Sequence, residues 1–96
     1  MFLIKITYTK PFDMVEKYVA AHREYLEEGY QNNYFVVSGP LNPRTGGIII
    51  SQLNNREQLE TFFKQDPYVL NDVADYEFIE FNPVKFHRDF ACFMET

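Results

Sequence analysis

The sequence predicts an α+β fold with the element order β-α-β-β-α-β, and three observations carry that prediction. The spacing of apolar residues switches between a period of two and a mix of three and four. Turn-forming Gly and Pro pairs mark most of the switches, and no linker, repeat or low-complexity tract divides the chain. This order is the split βαβ, or ferredoxin-like, arrangement, in which an antiparallel sheet carries both helices on one face. A length of 96 residues suits a single domain, 1–96, because independent domains usually run to ~100–150 residues.

Residues 2–8 alternate, with Phe2, Ile4, Ile6 and Tyr8 on one side and Leu3, Lys5 and Thr7 on the other, which reads as a first strand. Lys10-Pro11 ends it, and Asp13 places negative charge near a helix start. Over residues 12–28, Val15, Tyr18, Val19, His22 and Leu26 share one helical face, while Glu16, Lys17, Arg23, Glu24 and Glu27 lie largely off it. Gly29 is expected to stop this helix as a C-cap residue.

A second strand is expected at residues 34–38, cut off by Gly39-Pro40, and a third at 48–52. The segment Asn42-Pro43-Arg44-Thr45-Gly46-Gly47 is expected as the hairpin turn between them. Asn55 with Gln58 three positions on resembles a capping box, and Leu59, Phe62 and Phe63 supply the buried face of a second helix reaching about Gln65. Asp66-Pro67 breaks it, with a short turn of helix expected at 67–72. A fourth strand is expected at 76–81, ended by Asn82-Pro83. The tail, 84–96, carries Phe86, Phe90, Phe93 and Met94 and is too apolar for a free solvated end.

Hydrophobic residues make up 46% of the chain and aromatic ones 18%. A chain this short buries only roughly 60–65% of its unfolded surface, so the surplus is expected at a subunit interface or in a pocket for a small-molecule ligand. Pairing two sheets face to face would cover the helix-free side, so a homodimer is expected. Nine basic and fourteen acidic side chains give a net charge of −5. That balance, without basic runs interleaved with aromatics, argues against nucleic acid as a partner. No apolar stretch is long enough to span a bilayer, and the N-terminal residues read as a strand rather than a signal peptide. A single cysteine, Cys92, rules out an internal disulfide and suits a reducing compartment. A cytoplasmic protein with no membrane association is the expectation.

Few residues could carry chemistry. His22 lies on the inward helical stripe, either as a core imidazole or as a general acid or base at a cleft wall. Asp66 precedes a proline, so it either caps the short turn or orients an imidazole. The two roles coexist only if its oxygens divide the work. Ser38 ends a strand outside any Gly-x-Ser-x-Gly frame, and Gly39 permits close backbone approach. Tyr25 and Tyr68 read as core or rim aromatics whose phenols could hold a polar substrate. His87, beside Arg88 and Asp89, reads as a surface residue, and Cys92, in an apolar tail, as inert. The sparse His and Cys content offers no metal site, and the absence of Gly-x-Gly-x-x-Gly and Walker-type loops offers no nucleotide cofactor a foothold.

Four blocks, His22-Arg23-Glu24-Tyr25-Leu26, Ser38-Gly39-Pro40, Gly46-Gly47-Ile48 and Asp66-Pro67-Tyr68, resemble the signature blocks of the YciI-like (YCII-related) family, in that family's order. The resemblance implies a dimeric α+β barrel and a cleft in which a helix-borne histidine, here His22, meets an aspartate, here Asp66. That family is similar in fold to muconolactone isomerases and includes an enzyme that removes chloride from a chlorinated hydroxyhydroquinone. The chain departs from typical members in its extended tail and in the Gln31-Asn32-Asn33 turn.

The leading functional expectation is therefore a small enzyme of isomerase, lyase or dehydrochlorinase type. It would use His22 and Asp66 for proton transfer on a small, oxygenated and cyclic or aromatic substrate, with Ser38, Gly39, Tyr25 and Tyr68 as substrate-binding residues. The alternative is a non-catalytic ligand-binding or interaction module. A cleft beside the histidine distinguishes the two.

Overall fold

The computed structural model describes residues 1–94; the last two positions of the expected tail, 95 and 96, lie outside the described residues. Strand β1 (Phe2–Tyr8) runs through the middle of a four-stranded sheet, paired antiparallel to β3 (Gly46–Ser51) on one side and to β4 (Ala74–Glu80) on the other. Strand β2 (Phe35–Pro40) pairs antiparallel with β3, so the order across the sheet is β2-β3-β1-β4. Alternation along β1 sends Phe2, Ile4 and Ile6 into the core, while Lys5 and Thr7 stay exposed on the opposite face.

The helices cover the core face. Helix α1 (Phe12–Val15) passes through a turn of 3₁₀ helix (Glu16–Tyr18) into α2 (Val19–Gln31), so the single helix expected over 12–28 is three joined pieces. Helix α3 (Arg56–Phe63) forms half of the expected capping box: the Asn55 side chain accepts the Gln58 backbone N–H at 2.9 Å, while the Gln58 side chain donates to the Tyr34 hydroxyl at 3.0 Å. Its Leu59 and Phe63, one turn apart, are buried. Helix α4 (Pro67–Leu70) follows directly. Val15, Leu26, Leu59, Phe63 and Tyr68 from the helices pack with Phe2, Ile4, Ile6 and Ile49 from the sheet in one hydrophobic core.

Gly39-Pro40 does not cut β2 off after Ser38 but pairs with Ile48 and Gly47 inside it, and two further glycine expectations are corrected. Gly29 does not end its helix. It is buried inside α2, where any Cβ would run into the Phe35 ring. The stop comes later, at Asn33, whose φ of 61° is left-handed. The Asn33 N–H bonds the Tyr30 carbonyl at 3.0 Å and the Tyr34 N–H bonds the Gly29 carbonyl at 2.8 Å, a Schellman ending with Asn in the usual glycine place. Gly46 and Gly47, expected in the hairpin turn, open β3 instead, and a Cβ at Gly46 would strike the Ile6 carbonyl oxygen of the neighbouring strand.

The second face of the sheet carries Leu3, Ile48, Ile50 and Ile79, aligned by the strand register, with Val37 opposite Ile50. Val37 is 56% exposed and Ile79 is 42% exposed. After β4 the chain extends into a turn of 3₁₀ helix (Arg88–Phe93), in which Phe90 and Phe93 pack on each other at 5.3 Å. Within the single chain Val84 and Phe86 are exposed. Among the described residues, no helix is long and apolar enough to cross a membrane.

Candidate active site

His22 occupies the buried stripe of α2 with Leu26 and Gly29. Asp66 arrives from the other direction. Pro67 at the first position of α4 holds Asp66 in extended backbone (φ −65°, ψ 131°), and its side chain folds back to accept the Tyr68 N–H at 2.9 Å. That capping bond fixes the carboxylate beside α2. The His22 Nδ1 then lies 2.9 Å from Oδ1 and 2.9 Å from Oδ2.

A third donor completes the set. Tyr76 lies opposite Ile6 in the sheet register, and its hydroxyl donates to Asp66 Oδ2 at 2.6 Å. Thus Oδ1 serves the helix cap and the imidazole, while Oδ2 serves the imidazole and the phenol. The cap and the imidazole contact coexist on one carboxylate, and contrary to the expected division of its oxygens Oδ1 is shared between them. Asp66 is fully buried, and an isolated carboxylate there would be costly; three donors satisfy it. Burial, and then the adjacent Asp66 charge, push the Tyr76 phenol far above its ordinary range, so it remains an O–H donor.

The Tyr68 ring stacks on the imidazole, with centroids 3.9 Å apart and planes 6° from parallel. Asp66 therefore fixes the imidazole within its plane and Tyr68 fixes the plane itself. Carboxylate oxygens only accept, so the neutral imidazole carries its proton on Nδ1. The basic nitrogen is then Nε2.

A cleft of about 330 Å³ lies against His22, between α2 and the inner side of the sheet. Tyr68, Ser38 and Gly39, three of the four residues expected to bind substrate, line it. The Ser38 hydroxyl is hydrogen-bonded to that of Tyr30 at 2.6 Å, and beyond its chain neighbours nothing stands within 4 Å of where a Gly39 Cβ would be. Tyr25, the fourth, is placed elsewhere. Three residues beyond His22 it is turned by about 60° around the helix. Its ring stacks on Phe62 and its hydroxyl donates to the Phe62 carbonyl at 2.6 Å, tying α2 to α3.

Sequence reasoning missed four residues here. Tyr30 continues the stripe of His22 and Leu26 one turn further, and was hidden by ending the helix at Gly29. Tyr76 sits on the inward side of β4, which the alternation of that strand could have revealed. Tyr8 and Arg44 also line the cleft; Arg44 Nε donates to the Tyr8 hydroxyl at 3.4 Å, and the guanidinium lies 4.7 Å from the Phe12 ring centroid. Nothing in the spacing of a turn arginine marks it for this place. His87 is exposed, its Nδ1 accepting the Asp89 N–H at 3.1 Å, and Cys92 is exposed as well. Among the described residues, no group of three or more His, Cys, Asp or Glu side chains is arranged to hold a metal ion.

The fold is similar to that of 5-chloro-2-hydroxyhydroquinone dehydrochlorinase from Burkholderia phenoliruptrix AC1100, solved in complex with 2,5-dihydroxybenzoquinone. The TM-score is 0.70 at 18% sequence identity, over 85% of this chain and 94% of that one. No curated protein sequence matches the chain. The model of the YCII-related domain matches residues 1–82, which run from the start of the chain to just beyond β4, and the chain belongs to that family.

Proposed function

We propose that this protein is a small enzyme in which His22, oriented by Asp66, moves protons on a small oxygenated ring substrate held in the cleft between α2 and the sheet. The observation that carries this reading is the Nδ1 contact of 2.9 Å to a fully buried carboxylate, on an imidazole that also borders a cleft. A structural histidine needs the first feature but not the second. In the proposed step, Nε2 takes a proton from a hydroxyl or carbon acid of the substrate. The electron pair left behind shifts a double bond or expels a leaving anion. The imidazolium then returns its proton to another substrate atom, completing an isomerisation, or to water, completing an elimination. The dehydrochlorinase of similar fold supports the second outcome and a hydroxylated ring as substrate.

The strand order β2-β3-β1-β4 supports a ferredoxin-like arrangement. The uncovered apolar face with Leu3, Val37, Ile48, Ile50 and Ile79 supports a homodimer formed by two sheets face to face, a dimeric α+β barrel. Sedimentation equilibrium should give a dimer that Ile79→Glu dissociates. A monomeric wild-type protein at micromolar concentration would remove this part of the proposal.

The catalytic reading is tested by screening chlorinated and unchlorinated hydroxyhydroquinones and unsaturated lactones for turnover, followed by chloride release and ultraviolet absorbance. His22→Gln should lower any activity found by about 10²–10⁴-fold, the usual worth of a general acid–base group. Turnover unchanged in His22→Gln would overturn the dyad's role. Native mass spectrometry of the purified protein, searching for a retained ligand, narrows the substrate independently.

A further inference from the structure

The charge of the cleft differs in sign from that of the molecule. The chain has fourteen acidic and nine basic side chains, yet the charged residues lining the cleft are Arg23 and Arg44, with no Asp or Glu among them. Asp66 lies behind His22 and does not line it. Neither arginine has a carboxylate partner within 4.0 Å among the described residues.

Arg44 is also positioned. Its guanidinium is held over the Phe12 ring and donates to the Tyr8 hydroxyl. The Tyr8 ring meets Tyr68 edge to face at 6.0 Å, and Tyr68 in turn stacks on His22. A continuous row of Arg44, Tyr8, Tyr68 and His22 thus runs along the wall of the cleft to the proposed base.

We infer that Arg44, with the hydroxyls of Tyr8 and Tyr68, forms a subsite for an anionic oxygen of the substrate, so that the substrate class is a ring compound carrying a carboxylate or an ionised hydroxyl. This deepens the proton-transfer reading and rests on it for the word substrate, though anion binding itself does not require catalysis. Guanidinium and phenol groups supply only suitable partners for such an oxygen: a fixed positive charge and neutral O–H donors. Burial, and then the neighbouring Tyr8 phenol, raise the ionisation of Tyr68 above its ordinary range, which keeps it a donor at neutral pH. A negative charge at the far end of the ring would also hold the reacting atom near Nε2 rather than leave it free in the cleft.

The probes are benzoate and its neutral isostere benzamide, titrated into the full-length protein and followed by chemical-shift changes of cleft residues. Benzoate should bind at least about tenfold more tightly than benzamide, as expected for one charge-assisted contact. Arg44→Gln should abolish that preference while leaving the melting curve unchanged, and Arg44→Lys should keep part of it. His22→Gln should keep the preference in full, which separates this inference from the catalytic one. Equal binding of the two probes by the wild-type protein, no binding of benzoate in the millimolar range, or a preference that survives Arg44→Gln would each overturn the assignment. Loss of turnover in His22→Gln alongside any of these outcomes would leave the dyad standing without the subsite.

Discussion

The chain contains two histidine–aspartate pairs, one at the wall of the cleft and one in the tail. His22 and Asp66 meet at 2.9 Å, and His87 and Asp89 at 3.5 Å. By residue type and separation they differ little; their surroundings differ in almost everything. The first pair joins side chains 44 positions apart, its carboxylate closed off from water and gripped by Tyr68 and Tyr76. The second joins near neighbours in an exposed turn of 3₁₀ helix, where water competes for every contact. Long-range folding, rather than the identity of the residues, fixes one imidazole at the wall of a cleft and leaves the other a surface cap.

The contrast is sharpest in activity. His22→Gln should cost about 10²–10⁴-fold in turnover, whereas His87→Gln should leave it unchanged; equal losses in the two variants would break the comparison. Stability comes next. Leu59, fully buried in the core, should cost about 2–5 kcal/mol when truncated to Ala. Phe90→Ala in the tail, where the ring packs on Phe93, should cost a small fraction of that by chemical denaturation.

Asp66→Asn is a finer instrument. An asparagine can still accept the Tyr68 N–H as a cap, but its one carbonyl oxygen cannot also serve both the imidazole and the Tyr76 hydroxyl. One buried donor is left unsatisfied, at about 1–3 kcal/mol, and nitrogen chemical shifts of the His22 ring should report loss of the single tautomer. Asp89→Asn should change stability by less than about 0.5 kcal/mol.

The smallest effect lies at high pH. The Tyr76 phenol is held protonated in the fold, by burial first and by Asp66 second. Its stabilising contribution is complete below the ordinary phenol range near ~10 and declines as pH rises above it, because the unfolded chain then releases a proton that the folded one retains. Tyr76→Phe should therefore lose stability less steeply than wild type between pH ~9 and ~11 in denaturant titrations.

How much of this was legible in the sequence depended on whether a feature was local. The alternation of β1, the Asn55 cap and the Asp66-Pro67 break are set by neighbours in sequence, and each was read correctly. The end of α2 was misplaced because Gly29 is required by the Phe35 ring across the core, while the true stop uses Asn33. Gly46 was misread as a turn because its need for smallness comes from the Ile6 carbonyl on another strand. At the site, His22 and Asp66 stood out through the inward stripe, the proline and the family blocks. Tyr76 and Arg44 did not, since the sheet register and the β2–β3 loop bring them in. Tyr25 reads as a core or rim aromatic whose phenol could hold a polar substrate, and the turn of the helix carries that phenol to Phe62 on α3.

The sealed side of the His22 ring has an isotopic consequence. Asp66 is wholly enclosed, so a proton taken up at Nε2 has no second way out on the Nδ1 side and meets solvent only by way of the cleft. A ring substrate filling that cleft closes the same exit. In an isomerisation by the proposed route, a deuteron lifted from one carbon would then be set down on another before solvent could dilute it, and the label would stay with the molecule that brought it.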